Sequence, residues 1–208
     1  MEIEVKFYLP EFDALRNRLL GLNACNGGKF FESNIRFEDG GNSLEQKKSL
    51  LRLRRDRKNT LTFKSELPDG EKQFKIHNEW EVEVSDFSTM KHILESVGFH
   101  QAQIYEKWRE TFSLQDTVLC LDTLPFGNFV EIEGNKKQIK ALAAELGFKW
   151  PTRILLNYLA LFDILKQKLN LSFHDITFAN FKDIRIDFGR YLHLFEGGDG
   201  MNTAPPAD

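Results

Sequence analysis

The first seven residues, Met-Glu-Ile-Glu-Val-Lys-Phe, constrain the fold more than any other stretch of the chain. Successive side chains of an extended strand point to opposite faces, so Ile3, Val5 and Phe7 share one face and Glu2, Glu4 and Lys6 the other. One such strand decides little. The same division, apolar against ionisable, returns in at least five later strands. Leu51 and Leu53 alternate with Arg52 and Arg54, and Leu61 and Phe63 alternate with Thr62 and Lys64, which reads as a hairpin turning at 56–59. Trp80, Val82 and Val84 oppose Glu79, Glu81 and Glu83. In 104–113, Lys107, Arg109 and Thr111 oppose Trp108 and Phe112, with Glu110 out of place on the apolar side. Leu119 and Leu121 alternate with Cys120 and Asp122, and Val130 and Ile132 with Glu131 and Glu133.

Helical periodicity fills the gaps. Leu15, Leu19 and Leu22 follow Pro10, a residue suited to a helix start. Asp86 is an N-cap candidate for a stripe of Phe87, Met90, Ile93, Leu94 and Val97 that ends at Gly98. A helix is predicted over about 136–146, and a longer one over about 152–168 with Leu155, Leu156, Leu159, Phe162 and Leu165 on one side. Residues 29–37 read as extended, 38–48 as a mobile polar loop, and Pro68-Asp69-Gly70 as a turn. An acidic alternating strand followed by a short amphipathic helix occurs three times at unequal spacing, a habit of the fold rather than a solenoid. The aromatic-rich segment 170–195 is expected to pack on the body, and the Gly- and Pro-containing tail from 196 to be disordered.

Composition sets outer bounds. The chain has 208 residues, 41% hydrophobic and 28% charged, enough to bury a core without disulfides. A formal net charge of -3 gives no general attraction to nucleic acid or to acidic membranes. Cys25 and Cys120 are far apart, which favours two free thiols in a reducing compartment. The charged opening is unlike a signal peptide, and the apolar-leaning run 154–165 is too short to span a bilayer. A cytoplasmic location is therefore expected. The five histidines are scattered without metal-ligand spacing, and Trp80 and Trp108 are expected in the outer core.

The charged faces carry the chemical information. An open sheet with one solvated face would mix Ser, Thr, Asn and Gln among its charges, whereas this face is almost wholly ionisable. The alternative is a closed barrel with the charges inside and the apolar strand faces covered by helices. Such an interior cannot be dry, because unpaired buried charges cost too much. Converging Arg and Lys suit phosphate, and clustered carboxylates suit a hard divalent cation such as Mg²⁺ or Mn²⁺. Both sets in one cavity point to a metal–polyphosphate complex. No Walker-type loop is present.

The ordered set of motifs resembles the CYTH superfamily, the triphosphate tunnel metalloenzymes. Glu2-Ile3-Glu4-Val5-Lys6 matches its ExExK signature, Arg52 and Arg54 its R-x-R strand, and Thr62 and Lys64 its T-x-K strand. Glu79 and Glu81, flanking Trp80, match its E-(aromatic)-E strand, Lys107 and Arg109 its K-x-R strand, Asp122 a following acid, and Glu131 and Glu133 its late E-x-E strand. The resemblance covers 1–168, with 169–208 as a C-terminal extension. It implies an α+β fold: a closed eight-stranded antiparallel β-barrel, a tunnel with a charged interior, flanked by amphipathic helices. By position it implies Glu2, Glu4, Glu131 and Glu133 as metal ligands, with Glu79, Glu81 and Asp122 as further candidates. Lys6, Arg52, Arg54, Lys64, Lys107 and Arg109 would hold the triphosphate, and Glu2, Glu4 and Lys6 would stand closest to catalysis.

The residues 126–133 look closest to the class IV adenylyl cyclase branch, which converts ATP to cyclic AMP and pyrophosphate. Hydrolysis of tripolyphosphate, thiamine triphosphate or a nucleoside triphosphate is the second reading, and a non-catalytic polyphosphate- or nucleotide-binding module the third. The expected partner is a small triphosphate-containing molecule, not nucleic acid or membrane, and a homodimer is compatible with an edge-free barrel.

Overall fold

A computed structural model describes residues 1–67 and 73–195. The expected turn at Pro68-Asp69-Gly70 and the expected disordered tail from 196 lie outside the described residues. Eight strands, β1 (Glu2–Tyr8), β2 (Cys25–Asp39), β3 (Ser49–Arg55), β4 (Asn59–Glu66), β5 (Lys75–Glu83), β6 (Phe99–Leu114), β7 (Thr117–Leu124) and β8 (Gly127–Glu133), form a closed barrel in the order β1-β5-β4-β3-β2-β6-β7-β8. Every neighbouring pair is antiparallel. Closure removes sheet edges and fixes the register, because a one-residue slip would turn every charge outward.

Helices α1 (Phe12–Gly21), α2 (Ser43–Gln46), α3 (Phe87–Ser96), α4 (Lys136–Glu145) and α5 (Tyr158–Leu169) flank the barrel. The side chains of Asp86, Asn135 and Asn157 accept the backbone N–H of Thr89, Gln138 and Ala160 and so cap α3, α4 and α5. Each such cap is worth about 1 kcal/mol. The outward face of β1, β7 and β8 (Val5, Phe7, Leu119, Leu121, Val130, Ile132) packs with Leu15 and Leu19 of α1 and Ile139 and Leu142 of α4. Ile35, Phe37, Leu51 and Leu53 of β2 and β3 pack with Leu94 of α3. A third cluster joins α5 (Leu161, Phe162, Leu165) to Leu124, Phe126 and Phe129 and to Ile176, Phe181 and Phe188 of the segment after it. That segment is stitched to β6 by the Ile176 N–H donating to the Ile104 carbonyl and the Glu106 N–H donating to the Ile176 carbonyl.

Three expectations are corrected. The polar stretch 38–48 is ordered: β2 runs to Asp39, and α2 follows, with the Glu38 carboxylate accepting the Leu44 and Glu45 N–H groups and Asp39 accepting those of Gly41 and Ser43. Local side-chain acceptors supply what the Gly-rich composition lacks. The last long helix begins at Tyr158, not near 152: a 3₁₀ turn spans Trp150–Thr152, and Ile154 exchanges backbone hydrogen bonds with Lys6. The β1–β5 seam holds only three residue pairs, from Glu2↔His77 to Glu4↔Lys75, so the Lys6 backbone takes Ile154 as its partner. Finally, Trp80 and Trp108 face outward but are 61% and 41% exposed, since the cluster under α3 includes neither of them. Trp80 rests on Phe63, and Trp108 on Phe31. The misplaced Glu110 does point to the apolar side, where Arg16 and Asn26 donate to its carboxylate.

Candidate active site

Strand parity carries the charged side chains into the barrel, where they line a cavity of about 230 Å³. Twelve of the thirteen anticipated residues line it: Glu2, Glu4 and Lys6 of β1, Arg52 and Arg54 of β3, Lys64 of β4, Glu79 and Glu81 of β5, Lys107 and Arg109 of β6, and Glu131 and Glu133 of β8. Asp122 stands behind them, fully buried. Its carboxylate accepts from Lys107 Nζ at 3.0 Å, from Arg109 Nε at 2.7 Å and from the Tyr158 hydroxyl at 2.8 Å.

The wall is an alternating lattice of ion pairs. Lys6 Nζ lies 2.7 Å from Glu131 and 4.2 Å from the centre of the Tyr158 ring. Lys64 Nζ bridges Glu2 at 2.6 Å and Glu79 at 2.8 Å, and Lys75 Nζ lies 2.6 Å from Glu4. Arg52 and Arg54 approach Glu81 at 3.6 and 3.3 Å, and Arg109 also reaches Glu131. Burial would push Glu131 up, but Lys6, Arg109 and Lys107 hold it well below the ordinary carboxylate range. Burial is likewise outweighed at Glu4, held at about 2 by Lys75, Lys6 and Lys64.

Glu2 and Glu133 behave differently. Burial pushes Glu2 up to about 7, helped by a hydrogen bond shared with Glu79. Burial also raises Glu133 to about 7, with Arg109 too weak an opponent. No lysine or arginine forms an ion pair with Glu133 among the described residues, and Cys120 Sγ lies 3.8 Å from its carboxylate. Carboxylate oxygens of Glu2, Glu4 and Glu133 lie within 4.8 Å of one another. This is an all-oxygen donor set in which Glu2 and Glu4 each have a lysine partner and Glu133 has none among the described residues, and it fits a hard divalent cation. Gly134, at φ 154°, lets the chain leave β8 directly after Glu133; a Cβ there would stand 3.2 Å from the Asp116 carbonyl oxygen.

Four site residues escape the sequence reading. Lys75 and His77 share strand parity with Glu79, so extending β5 back by four residues would have found them. Glu32 shares parity with Asn34 on β2; it is 1% exposed and lies 3.5 Å from Lys107, 3.8 Å from Arg109 and 4.0 Å from Arg54. Burial notwithstanding, Lys107, Arg109 and Arg54 hold it at about 2, so it is a permanent counter-charge. Tyr158 comes from α5, and no strand periodicity could place it. His77 is pushed down to about 4 by burial and by Lys75.

The CYTH domain family matches residues 1–149, and the chain belongs to that family. It is similar to a Pyrococcus horikoshii protein at 27% identity and TM-score 0.66, covering 76% of this chain and 97% of that one. A Vibrio parahaemolyticus protein provisionally assigned as an adenylate cyclase shares 19% identity at TM-score 0.69, covering 78% and 97% of the two chains. A Hippeastrum protein, provisionally assigned as an adenylyl cyclase and found to have a dominant triphosphatase activity, shares 21% identity at TM-score 0.59 over 79% and 96%. No curated protein sequence matches the chain. Among the described residues no helix is long and apolar enough to cross a membrane.

Proposed function

We propose that this chain is a divalent-metal-dependent enzyme that acts on the triphosphate of a small molecule, with class IV adenylyl cyclase-type conversion of ATP to cyclic AMP and pyrophosphate as its reaction. One observation carries the reading: a single cavity joins seven basic side chains to a carboxylate triad, Glu2, Glu4 and Glu133. The triad would hold Mg²⁺ or Mn²⁺, which on binding neutralises phosphate charge and aligns the reacting oxygens. Arg52, Arg54, Lys64, Lys107, Arg109 and Lys6 grip the phosphate oxygens, the arginines as planar forks and the lysines as point charges. Glu131, tied to Lys6 and Arg109, and Glu79 and Glu81, tied to Lys64, Arg52 and Arg54, set the directions of those cations. Asp122 anchors Lys107 and Arg109 from behind. A carboxylate of the cavity orients the attacking hydroxyl. The tunnel unit is taken as 1–168, with 169–208 as its extension.

Hydrolysis of the triphosphate is the second reading, favoured by the dominant triphosphatase activity of the Hippeastrum protein on the same fold. The two differ in the nucleophile and in the phosphorus it attacks: a ribose hydroxyl at the α-phosphorus, releasing pyrophosphate, or water at the terminal phosphorus, releasing orthophosphate. Product identity by mass spectrometry separates them, with ATP and tripolyphosphate offered separately with Mg²⁺ or Mn²⁺ and Glu4→Gln as control. Cyclic AMP plus pyrophosphate supports the cyclase. Orthophosphate from tripolyphosphate, with ATP untouched or trimmed to ADP, moves the chain to the triphosphatases. Binding without metal-dependent turnover of either substrate overturns both and leaves a binding module.

A further inference from the structure

The first turn of α5 stands at the phosphate grip, and it lies beyond 1–149, the part of the chain that the family matches. The stretch 154–158 holds Lys6 twice. The Ile154 N–H donates to the Lys6 carbonyl at 2.7 Å, and the Ile154 carbonyl accepts the Lys6 N–H at 3.3 Å. Four residues on, the centre of the Tyr158 ring lies 4.2 Å from Lys6 Nζ. The same ring centre lies 5.2 Å from Lys107 Nζ. Tyr158 lines the cavity and is 7% exposed, so both contacts are made largely out of water, where a cation over an aromatic face gains most.

The ring is fixed from three directions. Asn157 caps α5 by accepting the Ala160 N–H, the Tyr158 hydroxyl donates to Asp122 at 2.8 Å, and the ring meets Phe129 edge-on with centres 5.3 Å apart. Burial and the Asp122 carboxylate push the hydroxyl well above its ordinary value, so it keeps the proton that it donates. Asp122 also anchors Lys107 and Arg109, so the ring and the cations share one point of reference.

We infer that Tyr158 is a positioning residue of the phosphate grip: its ring holds Lys6 and Lys107 toward the same part of the triphosphate without cancelling the charge of either. The inference rests on the triphosphate lying in this cavity. Lys6 already has Glu131 at 2.7 Å, and Lys107 has Asp122 at 3.0 Å and Glu32 at 3.5 Å. A further carboxylate in place of the ring would remove positive charge that the phosphate oxygens need. An aromatic face attracts a cation through its quadrupole and carries no net charge, so it orients both ammoniums and leaves them cationic. An aliphatic side chain would fill the same space and leave two like charges free to separate.

Titration calorimetry of the full chain with tripolyphosphate and Mn²⁺ tests this on native protein, on Tyr158→Phe and on Tyr158→trifluorophenylalanine. Fluorination keeps the shape of the ring and abolishes its negative face, a change to which a purely packing role is blind. Tyr158→Phe is expected to bind tripolyphosphate within about threefold of native protein, and the fluorinated variant at least about fivefold more weakly than Tyr158→Phe. Equal affinity of the two variants overturns the inference. Should Tyr158→Phe fail to fold, NMR of native protein decides. Lys6 ε-methylene protons shifted upfield by the ring, and still shifted with tripolyphosphate bound, support the inference; shifts like those of an exposed lysine overturn it. Absence of tripolyphosphate binding to native protein would instead overturn the triphosphate reading itself.

Discussion

Two acidic sites in the same barrel, about equally legible as carboxylates in the sequence, have opposite surroundings. Asp122 is fully buried and receives Lys107, both faces of the Arg109 fork and the Tyr158 hydroxyl. Glu133 has no lysine or arginine ion-pair partner among the described residues, and it converges with Glu2 and Glu4 to within 4.8 Å. The first is saturated by the protein, and the second is short of positive charge. A carboxylate becomes a candidate metal ligand where the fold leaves its lone pairs unclaimed, and a structural anchor where it does not.

This contrast can be broken by experiment. The largest effect is expected at Asp122: replacing it by Ala strands Lys107 and Arg109 in the interior and should cost about 3–5 kcal/mol, read by urea denaturation. Unchanged stability together with lost Mn²⁺ affinity would make Asp122 a ligand and cancel the distinction. Glu4→Gln should keep the fold while lowering metal-dependent turnover by about 100-fold or more, checked by the product assay and by a thermal melt. Full activity in that variant would remove the triad from the chemistry.

A pH series sharpens the comparison at smaller amplitude. Glu2 and Glu133 stand at about 7 when folded, against the ordinary 4.5, so the folded state retains protons that the unfolded chain has released. Stability of metal-free protein should therefore decline as pH rises from 4.5 through about 7, and Mg²⁺ or Mn²⁺ should flatten the decline. Glu32 acts in the opposite direction: held at about 2, it contributes stability above 4.5 that is lost as pH falls toward 2. Melting temperatures across pH 2–9, with and without metal, check both signs; an identical slope with metal would exclude the triad as its site. The smallest effect is expected outside the tunnel. Trp80→Ser, at a side chain 61% exposed, should change stability by no more than about 0.5 kcal/mol and leave turnover unaltered.

Most of the tunnel was legible because strand parity is a strong local signal. Every anticipated basic residue, and six of seven anticipated acids, reach the cavity from the face that alternation assigns them. Parity failed where strand ends were set too short: β5 begins at Lys75 rather than Glu79, and this hid both Lys75 and His77. It failed also where a side chain comes from another kind of element. Tyr158 enters from a helix whose start is fixed by the Asn157 cap and by the Ile154–Lys6 pairing, and no periodicity encodes that pairing. Trp80 and Trp108 lie on the predicted outer face, yet alternation could not say which parts of that face a helix would cover.

The sequence by itself determined which side chains share a face, hence a barrel with charges inside and an apolar exterior, because the period of two is a property of each strand alone. Which charges meet was decided by closure of the barrel and its register. That register put Lys75 beside Glu4, Lys64 between Glu2 and Glu79, and Arg109 on Asp122, and left Glu133 without an ion-pair partner among the described residues. The pairing of buried charges is a three-dimensional quantity: it depends on separations of a few ångströms between strands far apart in the chain, and only the tertiary structure sets those separations.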